Sequence, residues 1–224
     1  MTTGPVPGGP PAPPQPPTYP LTFSVDYPDR PLDRTSTFFR LLWAIPIFIV
    51  LAMLSGGFSG SWSAGDDTTT MSAAAGGLLF LPTLVMILFR QKYPRWWFDW
   101  NLALLRFQNR VGAYLSLLRD EYPSTDEEQA VHIDVPYPDA RTELNRWLPL
   151  VKWLLAIPHY IALVFVNLIA FFAVVAAWFA ILFTGSYPRG LFDFVVGTMR
   201  WNNRVVAYAF ILVTDVYPPF GFAP

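Results

Sequence analysis

Cysteine is absent from the 224 residues, which excludes disulfides and thiolate metal sites and leaves the redox compartment unreadable. Histidine occurs only twice, at His132 and His159. Charged residues make up 14%, against about 25% in an ordinary soluble domain. The net charge of −1 gives no global field to attract nucleic acid or acidic partners. No Gly-rich phosphate loop, metal-ligand spacing or nucleophile-plus-base pattern occurs in the chain, so no catalytic residue, cofactor or metal site is expected. What the chain has in abundance is apolar: 53% hydrophobic and 17% aromatic residues. Mean hydropathy is +0.35 despite an opening stretch of mostly Pro, Gly and Thr, so the remainder is too apolar to hide in a soluble core.

That opening, residues 1–20, carries Pro10-Pro11, Pro13-Pro14 and Pro16-Pro17, which favour extended polyproline II structure and predict a disordered tail. No Arg or Lys flanks these prolines, which makes it a weak ligand for a proline-recognition domain. The N-terminus lacks a basic region and the first apolar run starts near Phe38, behind a long proline-rich tail, so that run would act as an uncleaved signal anchor.

Four apolar stretches predict membrane spans. Leu41–Leu54 and about Gly76–Phe89 form one pair; two more lie within the block from Trp147 to Phe183. As one helix that block would measure roughly 55 Å, well beyond a ~30 Å hydrocarbon core. A hairpin turning near Val166 to Leu168, at the polar Asn167, is the expectation. Every Lys and Arg falls outside 41–89 and 153–188, while the loop Ser55–Ala75 carries only Asp66 and Asp67. The positive-inside rule then puts both termini and the middle of a multi-pass chain on the cytoplasmic side of the cell membrane. The first two stretches are short for spans, which leaves a shallow re-entrant hairpin open, with Arg40 snorkelling to the interface. Pro46 and Pro158 should kink their helices, and Ala173/Ala177 and Ala176/Ala180 have the spacing for close helix approach.

The same landmarks occur twice, in one order. Val25 to Asp29 (Val-Asp-Tyr-Pro-Asp) returns as Val135 to Asp139 (Val-Pro-Tyr-Pro-Asp), and Ala44-Ile45-Pro46 returns as Ala156-Ile157-Pro158. Tyr93-Pro94-Arg95 matches Tyr187-Pro188-Arg189, and each copy closes on Tyr-Pro, at Tyr122 and Tyr217. An ordered set of matches predicts an internal duplication. The expected organisation is an all-α integral membrane fold of two tandem modules. The first module is 21–123, with a hairpin at about 38–90 and an amphipathic cytoplasmic-interface helix at about 95–119. A cytoplasmic linker covers 124–146. The second module is 133–220, with a hairpin at about 147–184 and an interfacial helix at about 190–214.

The third element of each module carries the repeated polar signature. Asp99, Arg106, Asn109 and Arg110 recur at one constant offset as Asp193, Arg200, Asn203 and Arg204. Asp99, Arg106 and Arg110 lie on one side of a helix, which should rest in the interface with tryptophans at headgroup depth. In one reading, the aspartates cap and pair locally with the arginines, which anchor the helix. In the other, the arginine pairs hold anionic lipid headgroups or a partner's carboxylates. His159, an ionisable residue in a membrane helix, is expected to stay neutral and donate to a carbonyl freed by Pro158, while His132 beside Asp134 reads as ordinary surface.

The run from Trp147 through Phe183-Thr184-Gly185, then Arg189, Phe192, Gly197, Arg200, Tyr208 and Tyr217-Pro218-Pro219-Phe220 resembles a bacterial membrane family, domain of unknown function 4389. The resemblance covers nearly everything after Leu21 in two copies, the first departing where Arg90-Gln91 replaces Thr-Gly. It implies membrane location and carries no activity; the proline-rich leader looks actinobacterial. The leading expectation is a non-enzymatic accessory or scaffold subunit whose partners are the bilayer and other membrane proteins or itself, without nucleic acid. The alternatives are a lipid-binding or lipid-transport component that engages anionic lipids through the arginines, and a small oligomeric channel.

Overall fold

A computed structural model of the chain describes residues 19–55, 75–125 and 127–223. Most of the expected tail, the Asp66/Asp67 loop and Asp126 lie outside them. The described residues form strand β1 (Thr22–Val25), helices α1 (Arg34–Trp43), α2 (Ile45–Ser55), α3 (Ala75–Arg90) and α4 (Arg95–Leu115), and strand β2 (Val131–Asp134). Helices α5 (Pro149–Leu155), α6 (Ile157–Thr184) and α7 (Arg189–Val206) follow, the last running into a π-helical turn, Ala207–Ile211.

The fold is mostly helical, but not all-α. β1 and β2 pair antiparallel, with Phe23 opposite Ile133. Both strands alternate: Leu21, Phe23, Val25, Val131, Ile133 and Val135 are buried, while Thr22, Ser24, Asp26, His132 and Asp134 are exposed. This period of two is the ordinary mark of a half-buried strand. It corrects the expectation of a helices-only fold and places a strand inside the expected linker.

The second expected hairpin is also corrected. α6 runs unbroken through Asn167 for 28 residues, roughly 42 Å at 1.5 Å per residue. Asn167 needs no turn because its amide exchanges hydrogen bonds with the Asn202 side chain on α7. The break falls instead at Ala156, two residues before Pro158, and at Ala44, two before Pro46, where a missing N–H interrupts the helical ladder. Among the described residues α6 is the one helix long and apolar enough to cross a membrane; Leu81–Arg90 is apolar but shorter.

α6 buries a single stripe, His159, Leu163, Ala170, Ala173, Ala177 and Ile181. At the turn that follows, Gly185 adopts φ 77°, and Gln91, after α3, adopts φ 46°. The position where the first half departs from Thr-Gly therefore keeps the same left-handed conformation.

The core stacks in layers. The strands lie on one face of α4 and α7: Tyr27 packs edge-on against Phe192, and Tyr19 donates to the Arg204 carbonyl. On the opposite face of α7, Trp201, Val205 and Tyr208 pack against Ala156 and Leu163. The corresponding Phe107, Val111 and Tyr114 of α4 pack against Ala44 and Ile47. α1/α2 thus sits on α4 as α5/α6 sits on α7.

Candidate functional site

The repeated polar residues meet where α4 crosses α7. Asn109 and Asn203 exchange side-chain amide hydrogen bonds, at 2.8 and 2.6 Å, across 94 residues of sequence. Such a reciprocal pair is what a local two-fold axis produces, since each partner makes the contact it receives. Around that axis the arginines reach outward to backbone. Arg106 donates from Nε to the Ile133 carbonyl of β2 (3.2 Å), and Arg200 from Nε to the Phe23 carbonyl of β1 (3.0 Å). Each half therefore caps a strand carbonyl of the other, on a sheet whose two strands both have open edges.

The second arginine of each helix holds the chain that follows it. Arg110 donates to the Ser124 carbonyl (2.9 Å) and Arg204 to the Ala223 carbonyl (2.7 Å), while Arg200 also reaches the Phe222 carbonyl (2.6 Å). Burial pushes the pKa of Arg200 and Arg204 below its usual value, and for Arg204 the neighbouring Arg200 charge pushes the same way; guanidinium remains charged at neutral pH. Asp99 and Asp193 are exposed and form no ion pair with an arginine among the described residues. The expected local Asp–Arg pairing is therefore corrected: the aspartates point to solvent while the arginines bind carbonyls.

Two buried cations went unrecognised in the sequence. Arg40 does not snorkel; it is buried at 2% exposure and donates to the carbonyls of Tyr114 and Arg119 at 2.8 Å each. Its guanidinium also meets the Asp120 carboxylate and lies 4.5 Å from the centre of the Tyr114 ring. Lys152 does the same in the second half, with Asp215 (2.6 Å), the Thr214 carbonyl (2.7 Å) and the Tyr208 ring (5.2 Å). The free carboxylate oxygen of Asp120 accepts from the Asp33 N–H, and that of Asp215 from the Asn145 N–H. A signal existed: a cation stands four residues before each Ala-Ile-Pro, and an aspartate two residues before each closing Tyr-Pro.

Other contacts cross between the halves in matched fashion. Tyr27 donates to the Tyr187 carbonyl and Tyr137 to the Tyr93 carbonyl. Arg189 stacks on Tyr27 and Arg95 on Tyr137. His159 lies outside this pattern. Its Nδ1 accepts from Trp201 Nε1 at 3.0 Å and its ring stacks on Phe220. The expected role as donor to a carbonyl freed by Pro158 gives way to that of acceptor from an indole. His132 pairs with Asp26 at 3.0 Å on the exposed sheet face.

A mostly apolar cleft of about 570 Å³ opens between α1, α6, α7 and the end of α4, lined chiefly by Phe38, Phe171, Val174, Trp178 and Met199, with Arg40 and Asn167 among its polar members. No group of three or more His, Asp or Glu side chains able to hold a metal occurs among the described residues.

Comparison with known proteins adds one match. No curated protein and no solved structure matches the chain. Residues 147–221, from the start of α5 to the segment beyond the π turn, match once the family model described as domain of unknown function (DUF4389).

Proposed function

We propose that the chain is a non-enzymatic protein of the cell membrane, built from two copies of one module, that serves as an accessory or scaffold subunit of a membrane assembly. The observation that carries this reading is the internal use of the polar set shared by α4 and α7. Asn109 and Asn203 bond each other, and Arg106, Arg110, Arg200 and Arg204 all donate to backbone carbonyls of this chain. Groups committed in this way build a frame and are poorly placed to hold a headgroup or a partner's carboxylate. The outer helices offer apolar surface to lipid and to other membrane proteins or a second copy, with Ile45, Phe48 and Ile49 of α2 all exposed. A channel is less favoured, because His159 and Asn167, which with a few hydroxyls would have to line a path, bond to α7.

Replacing Arg106, Arg110, Arg200 and Arg204 together by Gln tests the frame against the lipid-holding alternative. A frame predicts a lower melting temperature in mild detergent with co-purified anionic lipid unchanged. Lost lipid with an unchanged melting temperature would favour headgroup capture. Cross-linking in native membranes addresses the scaffold role: a recurrent membrane partner supports it, and repeated recovery of the chain alone counts against it.

A second reading rests on the cleft between α1, α6 and α7. Its mostly apolar lining suits a lipid acyl chain, which makes lipid binding through the tail, not the headgroup, the version worth testing.

A further inference from the structure

We infer that α6 lies along the plane of the membrane, immersed in one leaflet, and that the apolar layer of α1, α2, α5 and α6 is the lipid-facing side of a protein that enters the membrane from one side only. This rests on the reading above that the chain sits in a membrane, and it replaces the multi-pass topology that the charge pattern predicts.

The argument begins with what lies on either side of α7. On one face, Asn202 bonds Asn167 near the middle of α6, with Trp201 bonded to His159 about two turns nearer its start. On the other face β1 runs alongside: Tyr27 at Phe192, Phe23 at Arg200 and Tyr19 at Arg204. The sheet therefore sits opposite the centre of α6 with α7 between them. A membrane normal directed along α6 would carry the sheet to the bilayer midplane. There, Ser24, Asp26, His132 and Asp134, all exposed on the sheet's outer face, would face hydrocarbon. An open two-stranded sheet with charged side chains is not found exposed to lipid tails, because its polar groups have no partners there.

Turning the normal through a right angle removes the conflict. The sheet then faces water, α4 and α7 form the middle layer, and α6 turns its free side to lipid. That side is apolar throughout: Ile161, Val164, Leu168, Phe172, Phe179 and Phe183 are each half or more exposed. They lie opposite the buried stripe, on the side away from the strands. A helix about 10 Å across matches the ~5–10 Å immersion of interfacial helices. The basic residues fit the same placement. Arg34 bonds the Phe183 carbonyl at the end of α6 and Arg146 the Leu88 carbonyl near the end of α3, so a cation stands at each of these helix ends, where in-plane helices meet headgroups. Exposed Trp43, Trp147 and Trp153 add aromatic residues of the kind that settle at that depth.

The chain has no native cysteine, so single cysteines report cleanly. The full chain would be reconstituted into phosphatidylethanolamine/phosphatidylglycerol vesicles and checked by flotation. Ile161→Cys, Leu168→Cys and Phe183→Cys, each carrying a fluorophore, would be read by quenchers placed at graded lipid depths. Ser186→Cys beyond the end of α6 and Val216→Cys near its start would be labelled with an impermeant maleimide. The inference expects one shallow depth for the three α6 positions, and Ser186 and Val216 reactive from the same side. A deep Leu168 between shallow ends, with Ser186 and Val216 reactive from opposite sides, overturns it and leaves the membrane reading intact. Failure of the wild-type chain to float with the vesicles overturns both.

Discussion

The two halves of the molecule reach the same contacts with different residues, and the differences fall on the outer layer. In the second half one helix, α6, covers a length that the first half divides between α2 and α3, with residues 56–74 between them. Arg40 on Asp120 answers Lys152 on Asp215; Gln91 answers Gly185. Between α4 and α7 the shared polar contacts do not vary: the Asn pair, the strand-capping arginines and the crossed tyrosine contacts are common to both. What stays constant is the central frame and what drifts is the surface turned away from it. That is the pattern expected if the frame specifies the fold and the outer helices only need to remain apolar.

The comparison breaks most sharply at the buried cations. Removing one partner of a buried ion pair typically costs about 3–5 kcal/mol, so Asp215→Ala should fall in that range, leaving the fully enclosed Lys152 with one carbonyl. Asp120→Ala should cost less, because Arg40 keeps two carbonyls. Melting in detergent resolves the two, at roughly 2–4 °C per kcal/mol for a chain of this size; equal losses would refute the asymmetry. Next comes Gly197, where an added Cβ would sit 2.6 Å from Cβ of Phe222. Gly197→Ala should destabilise by about 1–3 kcal/mol through overpacking. Its counterpart Ala103 is exposed on α4, and Ala103→Gly should cost only about 1 kcal/mol of helix propensity.

The Asn109–Asn203 pair sharpens the symmetry itself. Asn109→Ala strands the buried Asn203 amide and should cost about 1–3 kcal/mol, whereas Asn203→Ala leaves the Asn109 amide its bond to the Leu105 carbonyl and should cost less. The double variant should lose clearly less than the sum of the two single variants; additive losses would mean that the pair does not act as one unit. The smallest effect belongs to the left-handed turns. Gln91→Gly should gain about 0.5–1 kcal/mol by relieving the strained φ, whereas Gly185→Gln should lose about 1–2 kcal/mol. A stabilising Gly185→Gln would show that the two turns are not equivalent.

Much of this frame could be read from the sequence, because duplicated landmarks specify which positions should behave alike. Arg106 and Arg200, or Asn109 and Asn203, were marked out before any contact was known. Their partners were not, because a backbone carbonyl leaves no trace in the sequence and a helix side chain shows its spacing but not what it faces. The strands were missed because four-residue segments more than a hundred residues apart carry little local signal, although both alternate cleanly. Asn167 misled in the other direction. A lone polar residue in an apolar run suggests a turn unless its partner is visible, and Asn202 lies on another helix. Arg40 and Lys152 add to the sidedness signal because the charge rule counts cations without asking whether they are buried. The match to the unknown-function family covers α5 onward, and it was this half that the sequence resemblance described in most detail.

The pairing of β1 with β2 also has a consequence for synthesis. Thr22 finds its partner, Asp134, more than a hundred residues later. At translation rates of roughly 5–20 residues per second, the first strand waits on the order of ten seconds with both edges unpaired, and the Tyr187 carbonyl that receives Tyr27 arrives later still. During that interval the first half is an incomplete surface, apolar on one side and open-edged on the other. Delays or pauses in the second half of the message should therefore fall hardest on the first half of the protein, as aggregation or degradation of a segment that is already made.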